Sequence, residues 1–296
     1  MQVFERGWLS ANNILFASAG GATIVDTGYC THAAQTVALT EHALGAVPLT
    51  RILNTHLHSD HCGGNAALSQ RYPDAQIIIP PGESQAVRAW DENALTYRAT
   101  GQECPRFAFD GILAPGAEVL LGNSSWQVHA APGHDPHSVV LYCPQHKLLI
   151  SADALWENGF GLVFPELEGA RAFDDVAATL DVIAGLPVHV VIPGHGAPFM
   201  DCAAAIARAR RRLEGHMANP AKHAFHAVKA LVMYRMMALQ RAEVASFQHQ
   251  TAQAELFQRV ARRWFGEPAL ATIARACDEL VAKGQLERHG DTIALA

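Results

Sequence analysis

Apolar residues in the first two hundred positions come in short, β-branched runs closed by Gly or Pro, at residues 22–25, 51–54, 76–79, 119–121, 126–129, 139–143, 148–150 and 188–192. Runs of that length and composition predict strands. Between some of them, residues 32–44, 65–72, 173–184 and 203–213 carry Ala and Leu at helical spacing and predict helices. Hairpin-like strand series flanked by helices predict a layered α/β sandwich rather than a simple βαβ alternation. After Pro220 the pattern changes to three helical stretches, 223–241, 253–265 and 268–283, then a short hairpin over 286–295 turning at Gly290-Asp291. The break Gly-His-Met-Ala-Asn-Pro at 215–220 ends one helix and starts another, which divides the chain into domains 1–218 and 219–296.

Composition agrees with a well-buried chain. Of 296 residues, 50% are hydrophobic and 17% charged, which excludes disorder. Mean hydropathy is only +0.06, and no span approaches the roughly 20 apolar residues of a membrane helix. The start Met-Gln-Val-Phe-Glu-Arg has no basic region followed by an apolar one, so a cytoplasmic location is expected. Six cysteines lie far apart with no Cys-x-x-Cys pair and read as reduced thiols. The net charge of −6 conceals a division: residues 1–202 hold 8 basic and 20 acidic side chains, residues 203–296 hold 14 and 8. Four of those basic residues are the run Arg208, Arg210, Arg211 and Arg212, a potential basic edge near the domain junction. No phosphate loop or Gly-x-Gly-x-x-Gly is present, so nucleotide cofactors have no support.

The chemistry is concentrated behind the strand at 51–54, where the chain reads Thr55-His56-Leu57-His58-Ser59-Asp60-His61-Cys62-Gly63-Gly64. In an extended segment residues two apart point to one side, so His56 and His58 can reach one ion, while Asp60 and His61, where the chain turns into a helix, can face a neighbouring one. Imidazole nitrogen and carboxylate oxygen suit zinc, and also iron or manganese. Further candidates sit on Gly-rich turns after other strands: His134-Asp135, Asp153 and His195.

Asp26, His56-x-His58-x-Asp60-His61, His134, Asp153 and His195 resemble, in order and spacing, the five motifs of the metallo-β-lactamase-fold hydrolases, over roughly residues 10–200. The resemblance implies an αββα sandwich with a site for two divalent metal ions, zinc by preference, on one edge. It implies His56, His58 and His134 on the first ion, Asp60, His61 and His195 on the second, Asp153 bridging both, and Asp26 orienting the metal loop from behind. Asp60 and Asp153 would then be the catalytic carboxylates, and a water shared by the two ions would be acidified to a hydroxide nucleophile. Within the family, His58 stands where flavodiiron proteins carry Glu, and Asp153 where a lactamase subclass uses Cys. Glyoxalase-II-like thioesterases share the whole ligand set, but their last motif continues Gly-His-Glu-Tyr where this chain has Gly194-His195-Gly196-Ala197, which puts glutathione thioesters in doubt.

Asp135 and His137 replace Thr and Gly of the usual third motif and are candidate substrate contacts, as are Trp156 and Phe160 on an aromatic, Gly-containing segment. A second aromatic segment at 83–110, with Trp90, Tyr97, Phe107 and Phe109, is expected either to wall the cavity or to cover the domain. The C-terminal layout resembles the winged helix appended to one branch of the family. Its third helix sets Arg275 and Lys283 against Asp278 and Glu279, which is too weakly basic for a nucleic-acid surface, so packing on the catalytic domain or across a homodimer is expected. The reading that results is a two-metal hydrolase of a small ester or thioester. The alternatives are a ribonuclease for single-stranded RNA and a non-catalytic binding protein with a vestigial site.

Overall fold

The computed structural model describes residues 1–296. A six-stranded sheet runs in the order β1 (Gln2–Phe4), β2 (Asn13–Ser18), β3 (Gly21–Val25), β4 (Leu49–Leu53), β5 (Gln76–Ile79) and β6 (Gly111–Ile112). The first three strands are antiparallel and the last four parallel. The second sheet has β7 (Glu118–Leu121), β8 (Ser124–Ala130), β9 (Val139–Cys143), β10 (Leu148–Ala152) and β11 (Val190–Pro193), antiparallel except for the β10–β11 pair.

Alternation along these strands explains why they read as unbroken apolar runs. In β3 and β4, Ile24 and Ile52 point to an outer layer with Leu44 and Leu68 from helices Ala33–Leu44 and Asn65–Arg71, while Val25 and Leu53 point between the sheets. In the second sheet Val140, Leu149 and Val191 pack outward on helices Phe173–Ala184 and Cys202–Ala218, whereas Leu141, Ile150 and Ile192 meet Ile14, Val25 and Leu53 across the middle. Strands buried on both faces need apolar residues at every position. The layers are helix, sheet, sheet, helix. β1, β2 and β6 escape the sequence pattern because they are short or carry polar positions.

The C-terminal residues form a separate apolar cluster that includes Val228, Leu231, Phe257, Ile273 and Ile293, and borrows Leu167 from the preceding α/β layers. Asn219 separates two helices: its backbone N–H closes helix Cys202–Ala218 on Gly215, and its side chain accepts from Lys222 N to cap helix Pro220–Leu239. Four helical segments follow rather than three. Helix Val244–Ala252, capped by the Glu243 carboxylate, lies in the interval where only a connection is predicted. Next come Glu255–Val260 with its π-turn Ala261–Phe265, and Ala269–Ala282. β13 (Leu286–His289) and β14 (Thr292–Leu295) make the predicted hairpin at Gly290-Asp291, and β12 (Arg241–Glu243) adds a third strand against β14. No helix is long and apolar enough to cross a membrane.

Candidate metal centre

All the candidate donors follow the C-terminal ends of β3, β4, β8, β10 and β11, so they gather on one edge of the sandwich. The chain leaves β4, bends at Thr55 and His56, is extended at His58 and then enters the short helix Ser59–Cys62, which turns Asp60 and His61 away from His56 and His58. At β10 a bulge between Ile150 and Ala152 and a positive φ of 45° at Ala152 redirect the chain before Asp153.

Two donor groups result, His56, His58 and His134 in one and Asp60, His61, Asp153 and His195 in the other, with the donor atoms of each within 4.8 Å of one another. In the first, His58 Nδ1 lies 3.1 Å from His56 Nε2 and 2.8 Å from His134 Nε2. In the second, His195 Nε2 lies 3.1 Å from Asp60 Oδ2, and His61 Nε2 3.4 Å from Asp153 Oδ1. Asp153 turns its other oxygen, Oδ2, to His134 Nε2 at 3.4 Å. One carboxylate thus faces both groups.

The surroundings orient these rings. Asp26, buried and in the left-handed region at φ 57°, accepts from Thr55 N, Thr55 Oγ1 and His61 Nδ1 at 2.8–2.9 Å. His134 Nδ1 donates to Leu162 O at 2.6 Å, which leaves Nε2 a lone pair facing His58. Burial, then the neighbouring imidazoles, holds His56 well below its ordinary range, and burial with His134 pushes His58 down to about 4. Burial opposes charge on His61 as well, but Asp153, Asp26 and Asp60 outweigh it and raise that ring. Asp153 is held well below the usual carboxylate range against its own burial by His195, His61 and His134.

Divalent ions fit this arrangement. Two donors about 2.0–2.1 Å from one tetrahedral zinc lie roughly 3.3 Å apart, close to the separations here. His61 Nε2, which faces Asp153 and Asp60, is buried without a hydrogen-bond partner. The packing leaves no slack, since a Cβ on Gly194 would lie 2.2 Å from Asp153 Oδ1 and one on Gly161 2.4 Å from His134 Nδ1. A cluster of this donor chemistry suggests two divalent metals.

The profile of the Metallo-beta-lactamase superfamily matches residues 6–195. The chain belongs to that superfamily. It is 33% identical over 222 residues to a hydroxyacylglutathione hydrolase of Anaeromyxobacter dehalogenans, covering 71% of this chain and 74% of that one. Other hydroxyacylglutathione hydrolases match over 46–57% of their length, so the chain spans about half of most curated relatives it matches. A solved metallo-beta-lactamase family protein of Thermus thermophilus aligns over 99% of this chain and 97% of its own, at 23% identity and TM-score 0.55, and shares the fold. A second solved structure, TTHA1623 in a di-iron-bound form, covers 71% of this chain and 98% of its own at 28% identity and TM-score 0.53.

Above the donors of this superfamily member lies a cavity of about 890 Å³, with His58, Asp60, His134, Asp153 and His195 on its floor. Trp156 lines it and donates its indole N–H to Asp153 Oδ1 at 3.2 Å, and Phe160 backs the wall, almost wholly buried. Asp135 and His137 do not reach it. Asp135 is buried behind His58, its Oδ2 3.9 Å from Nε2, and accepts from His137 N, while His137 is exposed and packs over Gly82. The aromatics of 83–110 cover the domain instead, with Trp90, Tyr97, Phe107 and Phe109 in or against the outer core. Cys62 is a packed thiol beside Tyr97 and Cys104.

Two parts of the wall had no signal in the motifs. Trp8, 56% exposed, stacks on His195 at 5.4 Å between ring centroids. Across the cavity, helix Pro220–Leu239 presents Ala230, Leu231, Met233, Tyr234 and Met237. The run of apolar residues on that helix marks a buried face, but not which face meets the site.

Proposed function

We propose that this metal-dependent hydrolase of the superfamily acts on a small ester or thioester, with His56, His58 and His134 holding one divalent ion, Asp60, His61 and His195 a second, and Asp153 both. The observation that carries the reading is Asp153, whose two oxygens face the two donor groups at the floor of an apolar-walled cavity. When bound, the ions supply Lewis acidity, which lowers the pKa of coordinated water from about 16 to about 7 and neutralises charge growing on the substrate carbonyl. Zinc suits the donor set, with iron or manganese as substitutes.

The chain's own groups do the rest. Asp26 fixes His61 through Nδ1, and the Leu162 carbonyl fixes His134, so both present Nε2 to the floor. Trp156 pins one oxygen of Asp153. Asp60, the most open carboxylate of the group, lies on the cavity floor with Oδ2 toward His195, placed to take a proton from the attacking water and pass it to the leaving group. Phe160, Phe164 and Leu231 offer the acyl chain an apolar wall and exclude water. Residues 219–296 serve as a second, winged-helix-like domain that completes this wall.

A walled cavity favours a small molecule over RNA. Within the arginine run, Arg210 pairs with Asp181, Arg208 donates to Glu157 O and Arg212 turns to the cavity, which leaves Arg211 as the exposed residue without a partner and no row of free cations along one edge. Purified protein should hold close to two divalent ions and turn over members of an ester, thioester and lactone panel, and the double variant His58→Ala, Asp153→Ala should lose both metal and turnover. Activity retained by metal-free protein would overturn the reading, as would metal-dependent cleavage of single-stranded RNA that disappears in His58→Ala, with no ester turned over.

A further inference from the structure

We propose that the cavity carries an anion-binding subsite centred on Arg212, so that the substrate is an ester or thioester bearing a terminal carboxylate set apart from its scissile bond by a short apolar segment. The inference rests on the hydrolase reading above and narrows its substrate class.

Arg212 projects from helix Cys202–Ala218 into the cavity and stacks on the Phe160 ring at 5.7 Å. Every partner of its guanidinium is neutral. One terminal nitrogen donates to His226 Nε2 at 2.9 Å, the other to Asn158 O at 3.4 Å, and Nε to His216 Nε2 at 3.3 Å. Burial, reinforced by the surrounding cations, pushes His216 and His226 down to about 4, so both are uncharged acceptors near neutrality.

Of the other cations on the cavity wall or the same helix, two have counter-charges and one points to the same place. Arg210 pairs with Asp181 and Lys229 with Glu279 at 2.8 Å, whereas Lys283 lines the cavity with no ion pair. Of the carboxylates on the wall, Asp60 and Asp153 belong to the metal floor and Glu157 lies exposed at the rim. A half-buried guanidinium without a counter-charge is costly to the fold, and a bound anion removes that cost. Three of the five guanidinium N–H groups are used by these partners, which leaves one on each terminal nitrogen to grip a carboxylate through paired hydrogen bonds.

One loop sets the spacing between this pole and the metal floor. Gly161 packs against the His134 ring and Gly159 against Arg212, so close that a Cβ on Gly159 would lie 2.8 Å from the guanidinium. Arg212 and the metal floor thus line one cavity on either side of a single short loop, and the bound molecule needs only a short apolar segment between scissile carbonyl and anion, laid along Phe164 and Leu231.

The test uses three p-nitrophenyl esters on metal-loaded, full-length protein: the glutarate half-ester, its methyl-capped neutral analogue, and a chain of equal length ending in phosphonate. The half-ester should exceed its neutral analogue in kcat/KM by about tenfold or more, the scale of one charge-assisted hydrogen bond, and Arg212→Gln should bring that ratio to about one. Equal rates in the wild type overturn the proposal, as does a preference that survives in Arg212→Gln. If the phosphonate gains more from Arg212 than the half-ester, the subsite is a phosphate site and the carboxylate assignment fails. Calorimetry with glutarate separates the two readings: if no ester is turned over, the hydrolase reading fails, yet glutarate should still bind about tenfold more weakly to Arg212→Gln, and equal binding overturns the subsite. Should Arg212→Gln fail to fold, wild-type protein answers alone, because added salt should raise KM for the charged ester and spare the neutral one.

Discussion

Gly161→Ala isolates the geometry of the metal floor from the stability of the fold. Gly161 has no positive φ, so alanine is acceptable to the backbone, and the whole cost falls on one contact. The new Cβ would sit 2.4 Å from Nδ1, 2.8 Å from Cε1 and 2.9 Å from Cγ of His134. Ordinary contact begins near 3.4 Å, so the ring must withdraw by about 1 Å. It is held by the 2.6 Å bond to Leu162 O on one side and faces His58 at 2.8 Å on the other, so withdrawal breaks the first and misplaces the second. Metal sites tolerate displacements of about 0.2 Å, and a misplacement of about 1 Å costs on the order of 100-fold in rate. Dialysed Gly161→Ala should lose the ion held by His56, His58 and His134, as read by elemental analysis. Its kcat/KM should fall on the order of 100-fold, while the urea midpoints of the two metal-free proteins differ little. A variant that keeps two ions and a kcat/KM within about threefold of wild type refutes the placement of His134.

Gly215, inside helix Cys202–Ala218, has open space around its Cβ position, so Gly215→Ala should raise stability by about 0.5–1 kcal/mol in urea denaturation and leave metal content unchanged. Trp156→Phe keeps an aromatic ring but deletes the indole N–H on Asp153 and should lower kcat by about tenfold with little change in KM, measured on the best ester of the panel. Burial pushes His216, His223 and His226 to about 4, 3 and 4, below the roughly 6.5 of an unfolded histidine. Because the unfolded chain binds more protons in that interval, these rings stabilise the fold fully above about pH 6.5, and the contribution is lost as pH falls toward 4. The urea midpoint of metal-loaded protein should drop across that window, and His223→Gln should make the drop shallower. An unchanged slope shows that His223 does not titrate with unfolding.

Part of the donor cluster was legible because its determinants are local. His56, His58, Asp60 and His61 lie within six positions, and the strand-to-helix change between them is visible in the same stretch, so spacing alone separates the donors into two groups. His134, Asp153 and His195 each stand on a Gly-rich turn behind a buried strand, and strands buried on both faces announce themselves as unbroken apolar runs. The cavity was not legible in this way. Hydrophobic periodicity shows that a face is buried but not against what, so Trp90, Tyr97 and Phe107 read as a possible wall and lie in the core, while Met233, Tyr234 and Met237, far along the chain from the metal loop, form the wall. Helical phase divides the arginine run: Arg210 turns to Asp181 and Arg212 to the cavity, a difference of about 200° around the helix that composition cannot show. β12 exists only because β14 offers it a partner, since Arg241-Ala242-Glu243 has no strand pattern of its own. The donor types of the site are therefore written in short local motifs, whereas their gathering into two groups and the shape and charge they present to a substrate depend on contacts that only the folded chain creates.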